Sequence, residues 1–527
     1  MSSAIPHPPG YPFPGNILSL DGMLTSFTEV PTHGYHGLAQ KYASIYQLNL
    51  LGRKVIFVSS YTLVNELSDD SRFQKSVGGA LKETRNLIHD GIFTAFDGES
   101  SWITARRLIG QCYPPDLYLA HHLLVQDMRE ICDQMICKWD GPGAMPTESI
   151  IDPNDDLTRV ALDTIALCSM SYRLDSFANS QPPFVQTMVD FLRECNDRAN
   201  RPWIIQMFIN ITDGKHQPDV EKMSKIAHSS TFPVLQYRKV NPIDRKDMLN
   251  VMLNGRDPRT GARMSDNSII DNVGHPLSNL LSALRIDSSC IRNDVVRLVK
   301  HPLVMKTHSI LGDQPAQLGD LTRMEYLHAV IRESKRLQPT AAIRAVYPLK
   351  NTVIGDGKYF IVKDTPIALQ IWDLHRDQAE EFKPERMLKG NFESLPPNAW
   401  QPFGFGMRSC IGRAFAWQEM CIVLSSIVQR FDLALANPLY ELQITQAITI
   451  KPKGFRGGVR SKPVKLRVVS SGIDNRNSRW NSQLPVLSAS IRESVVSIAR
   501  LRPDHATKLT LSRTWVHCGK KHTDVTA

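Results

Sequence analysis

Apolar residues recur with the 3.6-residue period of an amphipathic helix along several long stretches of the chain. Two shorter stretches, Ser44 to Leu50 and Val55 to Ser59, instead alternate like the strands of a hairpin, with Arg53 in its turn. The helical stretches are Leu117 to Trp139, Asp156 to Ser169, Phe184 to Asn196, Leu321 to Leu337 and Arg413 to Phe431. The pattern predicts a mostly α protein with small β-sheets, an α+β fold.

The length of 527 residues and the hydrophobic fraction of 42% are sufficient for one large helical domain with a sizeable core. We expect that domain to span residues 1–460 and a tail to span 461–527. No apolar run reaches the roughly 18 residues of a membrane span, so no transmembrane anchor is expected. The nine cysteines show no paired spacing. This usage suits a reducing compartment and predicts a cytoplasmic location.

The net charge of +10 is concentrated near the C-terminus of the chain. Residues 451–527 hold 16 Lys and Arg against 4 Asp and Glu, whereas residues 1–450 hold 46 against 48. From residue 470 onwards the tail lacks any sustained apolar period, which indicates a flexible extension. It also lacks the interleaved aromatic residues that stack on bases, so no nucleic-acid partner is expected.

One cysteine, Cys410, stands on a glycine-rich loop directly before a predicted helix. Gly404 and Gly406 allow the backbone to turn tightly there, an arrangement that can present a thiolate to haem iron. A buried structural cysteine on a turn is one alternative, and a phosphate-binding loop is another. The dinucleotide fingerprint requires a third glycine where Ser409 stands, which disfavours the phosphate loop.

The segment from Pro402 to Arg413 resembles the ligand loop of the cytochrome P450 family, whose pattern is Phe-x-x-Gly-x-Arg-x-Cys-x-Gly. The matching residues are Phe403, Gly406, Arg408, Cys410 and Gly412. Further matches follow the family's order along the chain. They are the Pro8-Pro9-Gly10 opening, Trp102 with Arg106, the Glu-x-x-Arg pair Glu333 and Arg336, and the segment Phe382 to Arg386.

The resemblance implies a haem held between a distal helix and the ligand loop, with Cys410 as the axial iron ligand. By the same resemblance Trp102, Arg106 and Arg408 hold the haem propionates, and Phe403 contributes to the cofactor site.

Glu333, Arg336 and Arg386 are expected to form a buried charge cluster that keeps the ligand loop in place.

A narrower resemblance points to the haem domain of the self-sufficient fatty-acid hydroxylases of bacteria and fungi. It is carried by the segments 55–60, 81–85, 90–94 and 163–168 and covers about residues 5–460. In those enzymes a diflavin reductase follows on the same chain. Because only some 70 residues remain here, we expect an external NADPH-dependent reductase as electron donor.

The same match places Arg53 and Phe57 at the mouth of a substrate channel and Phe93 over the distal face of the haem. Arg53 is then the candidate ligand for a substrate carboxylate. A solvated charge is the simpler interpretation of Arg53, and plain core or pocket lining is the simpler interpretation of Phe93.

The distal helix departs from the family pattern. In the segment Val273 to Ser278, Pro276 and Leu277 stand where the family carries the acid and alcohol that deliver protons, and Pro276 breaks or kinks a helix. His275 and Ser278 are the nearest remaining candidates for proton transfer, although His275 can equally cap or pack a broken helix. The departure reflects either divergence toward an atypical reaction or intron sequence translated as protein around residues 273–290 and in the tail.

These features predict a fungal-type haem-thiolate monooxygenase that inserts one oxygen atom from O2 into an apolar substrate. A fatty acid and a secondary metabolite such as a polyketide are the two candidate substrates. A haem-thiolate isomerase or dehydratase is an alternative, because such enzymes require no proton relay. A haem-binding protein without turnover is a second alternative.

Overall fold

The computed structural model describes twelve parts of the chain: residues 3–10, 16, 30–50, 53–113, 122–140, 149–179, 183–200, 234–272, 311, 316–376, 379–446 and 449–461. All of them fall within one compact unit, Met1–Lys462. The predicted proton-transfer residues His275 and Ser278, and the predicted tail from residue 462 onwards, lie outside the described residues.

Helices account for most of the regular secondary structure in the described chain, and short helical segments at 234–240 and 266–272 add to them. The helices are α1 Pro31–Tyr42, α2 Tyr61–Glu66, α3 Ala80–Ile88, α4 Ser100–Gly110, α5 His122–Trp139, α6 Pro153–Met170, α7 Pro183–Asn200, α8 Met248–Asn254, α9 Leu318–Leu321, α10 Glu325–Leu337, α11 Ile371–Leu374, α12 Lys389–Glu393 and α13 Arg413–Arg430. Two 3₁₀ turns, Pro384–Met387 and Gly406–Arg408, flank α12.

Strands form four small sheets among the described residues. They are β1 Ile45–Leu50, β2 Arg53–Val58, β3 Phe73–Lys75, β4 Ser149–Ile151, β5 Ile343–Pro348, β6 Thr352–Ile354, β7 Tyr359–Ile361, β8 Ile367–Gln370, β9 Phe431–Leu435, β10 Ile444–Gln446, β11 Ile450–Pro452 and β12 Gly457–Ser461. The largest sheet has the order β1-β2-β8-β5-β3, and β4-β12-β9 form a second sheet. Strand β2 pairs with β8 in parallel, and the other pairs are antiparallel. The predicted mostly α fold with small β-sheets is confirmed.

The hairpin predicted near the N-terminus is present as β1 and β2. Leu50 pairs with Arg53, so Arg53 opens the second strand instead of lying in the turn. In the helices, the predicted and observed ends agree within a few residues. The stretch Leu321 to Leu337 is the exception, because it divides into α9 and α10. The apolar period continues across that break, which is why the sequence pattern does not reveal it.

Helix α13 lies in the middle of the largest core cluster and packs against α5 and α10. From Phe415 to Ser425 every residue of α13 is buried. A helix that is buried on all sides has no polar face, so its place is fixed by packing on every side. The ligand loop therefore leads into the most firmly held helix of this cluster.

A carboxylate at the centre of α10 holds two guanidinium groups. Glu333 is fully buried, and its Oε2 accepts a hydrogen bond from Nε of Arg336 at 2.8 Å. Its Oε1 accepts from Nε of Arg386 at 3.0 Å and from the backbone N–H of Lys383 at 2.8 Å. The i, i+3 spacing thus produces a buried pair, with the third member supplied by the 3₁₀ turn Pro384–Met387.

The cluster is connected to the segment before the ligand loop through His375. Arg336 donates from Nη1 to the His375 carbonyl at 2.7 Å, and the His375 Nε2 accepts the backbone N–H of Gln401 at 2.9 Å. Burial, followed by the charges of Arg336 and Arg376, lowers the pKa of His375 to about 3. The imidazole is therefore neutral at physiological pH and can serve as an acceptor.

Removing the charge of Glu333 should strongly destabilise the protein, because two guanidinium groups would lose their buried counter-charge. We expect Glu333→Gln to lower the free energy of unfolding by about 3–5 kcal/mol. The exposed Glu325 on the same helix provides the matched control, and Glu325→Gln should change stability by less than about 0.5 kcal/mol. Urea unfolding followed by circular dichroism measures both effects, and equal effects would contradict the role of the cluster.

Candidate functional site

The candidate ligand, Cys410, ends a tightly turned loop. Gly404 and Gly406 have φ angles of +74° and +59°, in the left-handed region that favours glycine. The Cys410 N–H donates to the Phe403 carbonyl at 2.8 Å, and the Ser409 N–H donates to the Gly406 carbonyl at 3.1 Å. These bonds close the loop on itself, and the Cys410 residue is exposed.

Arg106 reaches the loop from helix α4. Its Nη1 donates to the Ser409 carbonyl at 2.9 Å, directly before the cysteine. Burial lowers the pKa of Arg106 and the charge of Arg408 adds to this effect, whereas Cys410 raises it. Arg106 therefore holds the backbone beside Cys410 and places a positive charge there.

Arg408 lies in a polar niche formed by the segment before α4. Its Nε forms an ion pair with Asp97, its Nη2 donates to the Ala95 carbonyl at 2.6 Å, and its guanidinium carbon lies 4.0 Å from the centroid of the Trp102 ring. The remaining nitrogen, Nη1, is buried and has no hydrogen-bond partner in the described part of the chain. A buried donor of this kind is costly unless a ligand accepts from it.

Lys75, at the end of β3, adds a further, partly buried cation. Its Nζ donates to the Phe93 carbonyl at 2.7 Å, and its backbone N–H donates to Oδ2 of Asp97 at 2.8 Å. Burial and the charge of Arg408 lower the pKa of Lys75 to about 7, against an opposing effect of Asp97. The low pKa follows mainly from burial, and the positive charge of Arg408 adds to it.

Arg408 and the backbone N–H of Lys75 thus bind one carboxylate, that of Asp97, and Arg106 adds a further positive charge beside Arg408 and the cysteine loop. Both the excess of positive charge and the unpartnered Arg408 Nη1 fit an anionic group such as a haem propionate. The residues present therefore fit the cofactor that the sequence predicts.

The three predicted substrate residues do not form one group. Arg53 is exposed at the start of β2. Phe57, on the same strand, is only 4% exposed and is stacked between Tyr35 and Tyr46, with ring centroids 4.6 and 5.1 Å away. Phe93 is half-buried beside Lys75, whose Nζ lies 4.9 Å from its ring centroid. Phe57 is thus occupied in an aromatic core, whereas Arg53 and Phe93 have accessible surface.

Phe403 is 8% exposed and contacts aromatic side chains behind the loop. Its ring centroid lies 6.3 Å from those of Trp400 and Trp417, and the Arg413 guanidinium carbon lies 5.7 Å from it. This packing anchors the start of the loop in the helical core, in addition to the bond that its carbonyl accepts from Cys410.

Sequence reasoning missed Lys75 and Asp97. Asp97 lies only five residues before the motif residue Trp102. An acidic residue in a turn is common, however, so its position alone does not mark it as part of a site. Lys75 ends a three-residue strand, and its pairing with Val346 in β5 brings it to the site. Contacts between segments so far apart in sequence leave no local pattern.

Comparison with known proteins agrees with this arrangement. A sequence model described as cytochrome P450 matches residues 5–456. A self-sufficient cytochrome P450 monooxygenase of Phanerodontia chrysosporium is 43% identical over 471 residues, which cover 86% of this chain and 42% of the relative. A protein of Aspergillus niger with the same description is 38% identical over 518 residues, covering 95% of this chain and 46% of that relative.

A bifunctional cytochrome P450/NADPH–P450 reductase of Aspergillus oryzae is 37% identical over 469 residues, which cover 86% of this chain and 41% of the relative. The chain thus spans less than half the length of these curated relatives. The family match, in contrast, extends over most of the chain and includes the Cys410 loop, Trp102, Arg106 and the Glu333 cluster. The chain belongs to the cytochrome P450 family, and haem is its cofactor.

Proposed function

We propose that this protein is a monooxygenase that inserts one oxygen atom of O2 into a C–H bond of an apolar substrate. The overall reaction consumes the substrate, O2, NADPH and one proton, and it yields the alcohol, water and NADP⁺. The observation that carries the proposal is the exposed Cys410 residue on a loop that is closed by its own hydrogen bonds and bordered by the partly buried cations Arg106 and Arg408. A thiolate-bound haem supplies O2 binding and cleavage of the O–O bond.

The chain's own residues have separable tasks in this proposal. Cys410 binds the iron, and Arg106 fixes the backbone next to it. Trp102, Arg106 and Arg408 hold the propionates together with Lys75, and the buried Nη1 of Arg408 is an available donor for them. The stack of Arg408 on Trp102 keeps that guanidinium in place when the cofactor binds.

The substrate remains one of two classes, a fatty acid or a secondary metabolite such as a polyketide. The names of the relatives specify oxygenation and not a substrate. The exposed Arg53 at the start of β2 supports a substrate with a carboxylate. Phe93 is proposed as pocket lining, whereas the buried stack of Phe57 supports packing of the hairpin more than substrate contact.

Electrons are proposed to come from an NADPH-dependent reductase added as a separate protein. The relatives are described as self-sufficient, or as carrying an NADPH–P450 reductase, and in this respect they differ from the arrangement proposed here.

No helix in the described residues is sufficiently long and apolar to cross a membrane. The seven described cysteines form no disulfide among the described residues, in keeping with the proposed cytoplasmic location. His275 and Ser278 remain proposed proton donors.

The proposed reaction is tested with haem-loaded protein, NADPH and an added diflavin reductase under ¹⁸O2. Fatty acids and polyketides are first screened for a spectral shift on binding. We expect substrate-dependent NADPH consumption and a product that gains one ¹⁸O atom, both dependent on the added reductase. Conversion without label would instead indicate an isomerase or dehydratase, and binding without conversion would indicate a non-catalytic haem protein.

Cys410→Ala should lose the red-shifted Soret band of the ferrous carbon monoxide complex.

Arg53 should affect only substrates with a carboxylate. We expect Arg53→Ala to raise the KM of a fatty acid by about three- to fivefold, as for an exposed ion pair, and to leave the KM of the fatty alcohol of equal length unchanged. The adjacent exposed Lys54 is the matched control, and Lys54→Ala should change neither value. Equal changes for acid and alcohol would exclude a role in carboxylate binding.

Lys75 should make haem binding pH-dependent. Its pKa of about 7 in the free protein should rise beside a propionate, so haem binding takes up a proton above pH 7. We expect haem affinity to fall by up to about tenfold per pH unit above pH 7. The stability of the free protein changes in the opposite direction and rises between pH 7 and about 10.4, because the unfolded chain then binds more protons.

Transfer of haem to excess apomyoglobin between pH 6 and 9 measures this dependence. Lys75→Arg, which stays charged, should remove most of the slope, whereas Lys82→Arg at an exposed site should retain it. A slope that persists in Lys75→Arg would assign the proton to another group.

A further inference from the structure

We propose that Asp70 is a positioning residue for the Cys410 loop, holding it from the sheet side through the backbone N–H of Met407. Asp70 lies between α2 and β3, more than 300 residues before the loop. Its Oδ2 accepts the Met407 N–H at 2.8 Å. A hydrogen bond from a backbone N–H to a carboxylate is charge-assisted and therefore among the stronger kinds.

The close approach of Asp70 explains why residue 406 is a glycine. A Cβ at position 406 would lie 2.6 Å from the Asp70 carboxyl carbon, closer than real Cβ contacts allow. The φ angle of +59° also favours glycine at that position. Both the positive φ angle and the absence of a Cβ at residue 406 thus allow the Asp70 carboxylate to pack directly against the turn.

A second side chain from the same sheet holds the preceding residue. Arg344, on β5, places its guanidinium carbon 3.7 Å from the centroid of the Phe405 ring. Burial lowers the pKa of Arg344 to about 9, whereas Asp70 raises it. At neutral pH the guanidinium is charged, and Asp70 favours that charge. Residues 405 to 407 are therefore held by a cation and an anion that stabilise each other.

The bond to Met407 acts on Cys410 through the hydrogen bonds of the loop. The Gly406 carbonyl accepts the Ser409 N–H, so the position of residue 406 sets that of residue 409. From the opposite side Arg106 holds the Ser409 carbonyl. The backbone before the cysteine is thus fixed from the sheet by Asp70 and from helix α4 by Arg106.

The chain contains a matched control directly beside Asp70. Asp69 is also an aspartate, but its Oδ1 accepts from the N–H and hydroxyl of Ser71, within its own turn. Asp69→Ala therefore removes a carboxylate from the same surface without removing the bond to Met407.

The proposal rests on Cys410 being the haem ligand, and the experiment separates the two claims. Haem-loaded wild type, Asp70→Ala, Asp70→Asn and Asp69→Ala are compared by the rate at which the red-shifted Soret band of the ferrous carbon monoxide complex is lost, and by reduction potential. If wild type lacks that band, thiolate ligation itself is wrong. If wild type has it, the variants test Asp70 alone.

We expect Asp70→Ala to lose the band about tenfold faster and to shift the potential upward, because a displaced thiolate donates less to the iron. Asp70→Asn retains a carbonyl acceptor and should stay within about twofold of wild type, as should Asp69→Ala. The proposal is overturned if Asp70→Ala matches wild type, if Asn is as damaging as Ala, or if Asp69→Ala has an equal effect.

A measurement on wild type alone covers the case in which Asp70→Ala does not fold. The Met407 residue is 61% exposed, so its amide would exchange rapidly with solvent without a partner. Hydrogen exchange should show the Met407 amide protected at least about tenfold over its unstructured rate. Exchange at the unprotected rate would eliminate the bond, and with it the proposed role of Asp70.

Discussion

The ion pairs of the buried Glu333 carboxylate are the interaction on which the rest of the site depends. A charge that is fully removed from water is tolerated only when it is neutralised and its lone pairs are occupied, and here two arginines and a backbone N–H do this. Through Arg336 and His375 the cluster reaches Gln401, so the ligand loop begins from a fixed point. Helix α13 fixes the other end of the loop through its buried packing and the hydrogen bond from Trp417 Nε1 to His328.

The opposite side of the loop has a contrasting electrostatic design. Around Glu333 the carboxylate oxygens and the guanidinium groups are bound to partners within the protein, whereas beside Asp97 the buried Nη1 of Arg408 has no partner among the described residues. A buried donor without a partner disfavours the folded state until an acceptor binds. The Glu333 cluster thus has all its partners within the protein, whereas the Arg408 side has a donor left for a bound anion.

The features of the fold and site that could be predicted from the sequence are those whose interacting residues lie close together along the chain. The Cys410 loop, the Glu333 and Arg336 pair and the long helices follow from local spacing, and the fold class follows from them. Lys75 and Asp70 reach the loop only because β3 pairs with β5 beside it. A lysine on a short strand and an acid in a turn resemble many solvated residues, so no local pattern distinguishes them. For Phe57 the local pattern predicted the strand but not the side-chain contact. Phe57 stacks on Tyr35 of helix α1, which lies outside the hairpin.

The neutral imidazole of His375 has a consequence for the conditions this fold can withstand. Because the folded pKa is about 3 and the unfolded value is near 6.5, the unfolded chain binds the extra proton between these limits. The contribution of this residue is complete above pH 6.5 and declines by up to about 1.4 kcal/mol for each pH unit below it. The joint formed by Arg336, His375 and Gln401 thus contributes to the acid tolerance of the fold, and acidification would weaken the point from which the Cys410 loop begins.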